Sequence, residues 1–147
     1  MTTTSLQREL QPDGSVVLRD ARCAFRFIRA GRAMEIVIEG VDRGQLGNAP
    51  LDEIALALVR EGSLELFIDA TRASMPTVDV SRQWTRFFSL NRDRLKRVSV
   101  LVGSRPVELT VAIAQHLSQT GNLIQIYSDE TMYAARKAEA MRGVAGR

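Results

Sequence analysis

Leu64-Glu65-Leu66-Phe67-Ile68-Asp69 is the stretch on which the fold turns, a short run of large apolar side chains that ends in an acid. A run of this length bounded by turn signals reads as a buried strand rather than a helix. Gly62 lies just before it, and Ala70-Thr71-Arg72-Ala73-Ser74-Met75-Pro76 follows as a loop. Thr77 or Asp79 then caps a helix in which Trp84, Phe87, Phe88, Asn91 and Leu95 fall at helical spacing. Strand, loop and aromatic helix form one βα unit.

The unit repeats downstream. Val98 to Val102 is a second apolar strand, and Gly103-Ser104-Arg105-Pro106 places a cap residue and a first-turn proline ahead of the stripe Val107, Val111, Ala114 and Leu117. Gly121 closes that helix. Leu123 to Tyr127 is the last strand, and Ser128 caps a final helix from Asp129 to about Met141. Upstream the pattern changes. Pro12-Asp13-Gly14 is a turn, Ser15 to Leu18 reads as a strand, and Cys23, Phe25 and Phe27 alternate with polar neighbours. Ala30-Gly31-Arg32 turns the chain into residues 33–39, which pair with the preceding strand as an antiparallel hairpin. Gly40 to Gly47 is a polar connection. Pro50, Asp52 and Glu53 suit the first turn of a helix that Gly62 stops.

The expected order is ββ followed by αβαβαβα. Alternating βα units favour parallel strands joined by right-handed crossovers, so the fold class is α/β, a mixed sheet flanked by helices. The 147 residues suit one domain, expected over 13–141, with flexible ends at 1–12 and 142–147. Hydrophobic residues at 45% and charged residues at 25% describe an ordinary globular chain.

The formal charge of +3 hides an asymmetry. Residues 1–75 sum to −2 and residues 76–147 to +5, and the stretch 82–105 alone carries +6. Arg82, Arg86, Arg92, Arg94 and Arg97 are the basic residues expected at a partner-binding surface on and after the aromatic helix. An acidic protein partner fits them better than nucleic acid, because the total surplus is small. Arg22, Arg26 and Arg29 are expected opposite Cys23, Phe25 and Phe27, with Glu35 and Glu39 as cross-strand partners. Such an edge hairpin is also compatible with a homodimer.

The chain lacks an enzyme's signatures. No phosphate loop, nucleophile elbow or zinc-protease helix occurs, and no cofactor or metal site is expected. Cys23 and His116 are the sole residues of their kinds, which excludes an intramolecular disulfide and a thiolate cluster. With no apolar run near the length of a membrane span and no secretory leader, the expected location is cytoplasmic.

Element order, Leu-Glu-Leu-Phe-Ile-Asp-Ala before an aromatic helix, Val-Ser-Val-Leu-Val-Gly-Ser-Arg-Pro, and Leu-Ile-Gln-Ile-Tyr-Ser-Asp together resemble the SpoIIAA-like fold of STAS and SEC14-type domains. The resemblance covers about residues 15–140. It implies a non-catalytic regulatory module, of the kind found in bacterial partner-switching systems, that acts on a protein partner. In anti-sigma-factor antagonists a strand-ending acid precedes an Asp-Ser-Ser/Thr-Gly motif whose Ser is phosphorylated by a partner kinase. Asp69 matches that acid, but the motif position reads Asp79-Val80-Ser81-Arg82. Ser81 is the matching hydroxyl, and Ser74 and Thr71 are further acceptors nearby. Asp69 and Asp79 are candidates for ligand holding or for capping. The SEC14-type side of the resemblance implies a second reading, a small-molecule or lipid carrier with a crevice between the aromatic helix and the sheet. An enzyme is the least favoured reading, since no base and nucleophile stand at a spacing that names a reaction.

Overall fold

The computed structural model describes residues 6–118 and 121–145. Among them, seven strands form one sheet whose spatial order is the chain order. Strands β1 (Gln7–Leu10), β2 (Val16–Arg19), β3 (Cys23–Ala30) and β4 (Ala33–Gly40) are antiparallel neighbours. From β4 the sheet continues in parallel through β5 (Leu64–Ala73), β6 (Leu95–Val102) and β7 (Ile124–Tyr127). Helices α1 (Ala49–Glu61), α2 (Val78–Leu90) and α3 (Arg105–Leu117) join the parallel strands, and α4 (Glu130–Ala145) follows β7.

Register explains the two faces. Phe27 lies opposite Ile36, which lies beside Ile68, which lies beside Val100, and that row ends at Ile126. Because side chains alternate along a strand, every second residue joins one apolar face. Ile54 and Leu58 of α1, Phe88 of α2 and Val107 of α3 cover it and form the main core. Each fully buried large side chain there contributes about 1.5–3 kcal/mol. Ala33, Phe67 and Leu101 point the other way, and Tyr133 of α4 packs on them. Its ring meets Phe67 edge-on at 6.0 Å.

The second face is partly ionic. Glu35 and Glu65 are 7% exposed and lie beneath α4. Lys137 and Tyr133 both donate to Glu35 Oε2, and Arg136 donates to Glu65 Oε2 at 2.9 Å. Burial and the neighbouring Glu35 carboxylate push the Tyr133 phenol well above its ordinary range.

Local chemistry sets the helix ends. Thr77 Oγ1 accepts the Val80 N–H, and Ser104 Oγ accepts the Val107 N–H, each cap worth about 1 kcal/mol. Pro50 lies in the first turn of α1, and Gly62, at φ 81°, ends it by donating its N–H to Leu58 O.

Several expectations change. Residues 7–10, assigned to a flexible segment, form the edge strand β1, which pairs with β2 and is braced by ion pairs Arg8–Glu53 and Arg19–Glu9. β5 runs to Ala73, so Thr71 and Arg72 are strand residues and the connection to α2 is shorter than the sequence suggests. At Asp69 to Arg72, β5 carries one residue more than β4 does between Val37 and Glu39, which is a bulge. α2 stops at Leu90, because Asn91 turns its side-chain amide back to Phe87 O. Arg92–Arg94 form a 3₁₀ turn, and Leu95 begins β6 instead of extending the helix. Arg29 shares the face of Phe25 and Phe27 and bonds to Glu61 of α1, while Glu35 bonds to α4 and Glu39 to Arg72. α4 continues to Ala145, past the expected end at Met141. Residues 1–5 and 146–147 of the expected flexible ends lie outside the described residues.

No helix among the described residues is long and apolar enough to cross a membrane.

Candidate functional site

The carboxyl ends of β4 and β5 run out beneath the start of α2, where open α/β sheets commonly bind ligands. The chain brings β4 close to β3 here. A Cβ on Gly40, which has φ 83°, would run into the Arg22 carbonyl oxygen, so the crossing needs glycine. Gly103, where β6 leaves the sheet, meets the same demand without unusual backbone: a Cβ there would lie 2.8 Å from Thr71 O.

Between α2, α3 and the sheet lies a half-open cavity of about 110 Å³. Its walls are apolar, built from Phe25, Ile68 and Val100 of the sheet, Trp84 and Phe88 of α2, and Val111 of α3. Trp84 stacks on Phe25 at 6.3 Å and 13°, and its ring lies 5.8 Å from Phe88. The sole tryptophan is therefore both core and cavity wall.

Asp42, Ser74, Ser81 and Thr110 are the polar residues among those that line the cavity. Asp42 is 8% exposed, and its Oδ1 accepts the Gly44 N–H at 2.9 Å. Burial raises its pKa, the Gly44 hydrogen bond opposes that, and Asp20 adds to the rise. No cation lies within ion-pair distance of it among the described residues.

The three candidate hydroxyls differ in surroundings. Thr71 is exposed, but its Oγ1 donates to Asp69 Oδ1 at 2.6 Å, and its N–H reaches the same oxygen at 3.0 Å. Asp69 thus closes the bulge, and its pairing with Val37 and Leu101 puts it on the sheet face opposite the cavity. Ser81 is half-buried in the first turn of α2. Ser74 is exposed, its N–H bonds to Gly40 O at 2.9 Å, and no side-chain hydrogen bond engages its hydroxyl among the described residues. Asp79 is exposed in the first turn of α2, while Thr77 supplies the cap.

The arginines do not share one surface. Arg82 and Arg86 are exposed on the outer side of α2, with no carboxylate partner among the described residues. Arg92 and Arg94 sit in the 3₁₀ turn at the far end of α2, and Arg94 reaches the Leu58 carbonyl at the end of α1. Arg97, level with Glu65 on β6, lies on the α4 side of the sheet. Beside Arg82 and Arg86, the apolar residues Met75, Val78 and Leu90 are 57%, 66% and 72% exposed.

Cys23 is 4% exposed on β3, and burial, aided by Asp42 and Asp20, pushes its thiol up to about 12. His116 is exposed on α3. No group of three or more potential metal-ligating side chains is assembled among the described residues.

Sequence reasoning passed over Asp42. The available signal was modest: an acid two residues before Gly44 is a turn-forming pattern, and it falls between the apolar Val41 and Leu46. The Glu35, Glu65, Arg136 and Lys137 cluster gave no local signal, since its members come from three distant segments.

No protein-family model and no curated protein sequence matches this chain. Solved structures do. An uncharacterized protein of the DUF3478 family with a SpoIIAA-like fold, from Shewanella loihica PV-4, superimposes with a TM-score of 0.55 at 16% identity, covering 78% of this chain and 93% of its own. An anti-sigma factor antagonist from Mycobacterium paratuberculosis gives a TM-score of 0.53 at 13% identity, covering 88% of this chain and 99% of its own. The chain has the SpoIIAA-like α/β fold that the order of its elements implies.

Proposed function

We propose that this protein is a non-catalytic regulatory module of the STAS type that acts in the cytoplasm by binding an acidic protein partner through the outer face of α2. One observation carries the reading: Arg82 and Arg86 stand exposed with no carboxylate partner among the described residues, flanked by exposed Met75, Val78 and Leu90. Arginine beside apolar side chains, at a rim free to desolvate, is the composition of protein interfaces. The fold-level likeness to an anti-sigma factor antagonist supports the same reading. Arg92, Arg94 and Arg97 lie elsewhere and are left out of this surface.

Regulation in this reading belongs to Ser74. It is exposed beside Met75 at the entrance to α2. A phosphate there would add a charge of about −1.5 to −2 next to the arginines and compete with an acidic partner for them. The test is capture of a partner from the source cell by tagged protein, compared with the Arg82→Glu, Arg86→Glu double variant. Loss of one specific partner with an unchanged far-UV circular dichroism spectrum supports the surface, and undiminished capture removes it.

The second reading, a domain that binds a small molecule, is favoured by the apolar cavity beneath α2.

A further inference from the structure

α4 holds the second face of the sheet with little hydrocarbon. α1 buries Pro50, Leu51, Ile54, Ala57 and Leu58, whereas Tyr133 alone is buried among the described side chains of α4. Ala140 and Met141 are only partly covered where they join Tyr133 against the sheet. The remaining ties are ionic, Lys137 on Glu35 and Arg136 on Glu65, and the two cationic side chains are 31% and 24% exposed. Ion pairs that reach solvent on one side hold less firmly than buried apolar contact.

Docking also leaves polar groups unpaired. Glu35, Phe67 and Ser99 lie in one row across β4, β5 and β6, so Ser99 shares the face that α4 covers. Ser99 is wholly buried, and its Oγ and Arg136 Nε are the two buried side-chain atoms without a hydrogen-bond partner among the described residues. Both belong to this one contact. A buried donor left unsatisfied opposes the state that buries it, and departure of the helix returns both groups to water.

We propose that α4 is a releasable strap, fastened by its two ion pairs, that leaves the sheet as a unit while the seven strands and α1 to α3 stay folded. Its release uncovers Phe67 and Leu101 together with the carboxylates of Glu35 and Glu65. The main core does not depend on it, since no residue of α4 belongs to that cluster. The released molecule presents an acidic, apolar face opposite in sign to the arginines of α2. A 16-residue helix detached from its support is marginal in water, so release is followed by loss of its hydrogen bonds and reads out as amide exchange.

The experiment is hydrogen exchange of the intact protein, in water and in sub-denaturing urea, followed by mass spectrometry of peptides from α4, β5 and β6. The α4 amides should exchange about 100-fold faster than those of β5 and β6, at a rate that barely rises with urea, because little surface opens. Ile54→Val, in the main core, should speed exchange in β5 and β6 about fivefold and leave α4 unchanged. Lys137→Met should speed α4 about tenfold. Equal protection of α4 and β5 with the same steep urea dependence overturns the strap, and this comparison needs no variant to fold. An α4 rate that rises with Ile54→Val as much as β5 does, or that is unmoved by Lys137→Met, overturns it too.

Discussion

Lys137 of α4 donates to Glu35 of β4 over 2.8 Å, joining residues that lie 102 positions apart in the chain. The bond fastens the last helix to the middle of the sheet, on a face where Glu35 is buried and Tyr133 shares the same carboxylate oxygen. Lys137→Met leaves Glu35 with Tyr133 as its one side-chain partner among the described residues. The expected loss is about 1–2 kcal/mol in urea unfolding, below the cost for a fully buried pair because the lysine side chain is 31% exposed. Adding Glu35→Gln should recover part of that loss. A double variant that loses the sum of two single effects would show that the pair is not coupled.

Gly103 is required by a close approach. A Cβ there meets Thr71 backbone atoms at 2.8 and 3.0 Å, and backbone cannot swing aside as a side-chain tip can. Gly103→Ala should cost about 1–3 kcal/mol and lower the thermal midpoint by several degrees. An unchanged melt would mean that the bulge at Asp69 to Arg72 moves freely.

The Cys23 thiol should be inert in the folded protein. At pH 8 a disulfide-exchange reagent should leave it unmodified, and should modify one thiol per chain in guanidinium. Its folded pKa is about 12 against 9.0 for the free group, so between those values the unfolded chain releases its proton first. Stability should fall as pH rises from about 9 toward 12, and Cys23→Ala should flatten that part of the profile. A profile unaffected by the substitution would assign the alkaline loss to other groups.

Asp42 should cost stability when ionised. Its pKa is raised on folding, so the folded state holds the proton more firmly, and this residue's contribution declines as pH climbs above the ordinary carboxyl value of 3.8. Asp42→Asn should therefore stabilise the protein by about 1 kcal/mol at pH 7 and by less at pH 4. The check is paired urea titrations at the two pH values. An asparagine variant that is equally or less stable at pH 7 would show that the carboxylate is well accommodated in the folded protein.

Much of the fold is visible in local chemistry, and the gaps have physical causes. Leu64 to Asp69 reads as a strand because burial on both faces demands an unbroken apolar run. The caps Thr77 and Ser104 are short-range hydrogen bonds between near neighbours, so they too are legible. Gln7 to Leu10 is not, because nothing in that polar segment marks a strand until β2 offers it a ladder. Asn91 was ambiguous: it falls on the helical spacing of Trp84 and Phe88, yet its amide ends the helix. The candidate site divides in the same way. Trp84, Ser74 and Ser81 stand out in the sequence after Asp69, which lies within β5 and does not end it, but Asp42 is distinguished only by burial, and burial arises from elements that a linear reading does not bring together. The even spread of arginines through 82–105 likewise concealed that a helix end and a turn separate them.

The order of strands across the sheet has a consequence for how the molecule assembles. Each strand hydrogen-bonds to the one synthesised just before it, so no strand must be threaded between two already paired. Such a sheet can grow by accretion from its amino end during translation, each βα unit closing a short loop before the next emerges. Contacts of this kind keep the mean sequence separation low for a parallel sheet and favour rapid folding. α4 departs from this scheme, since its anchors on β4 and β5 lie 102 and 71 positions upstream of it. Until α4 docks, the carboxylates of Glu35 and Glu65 remain in water, and its docking withdraws them from it.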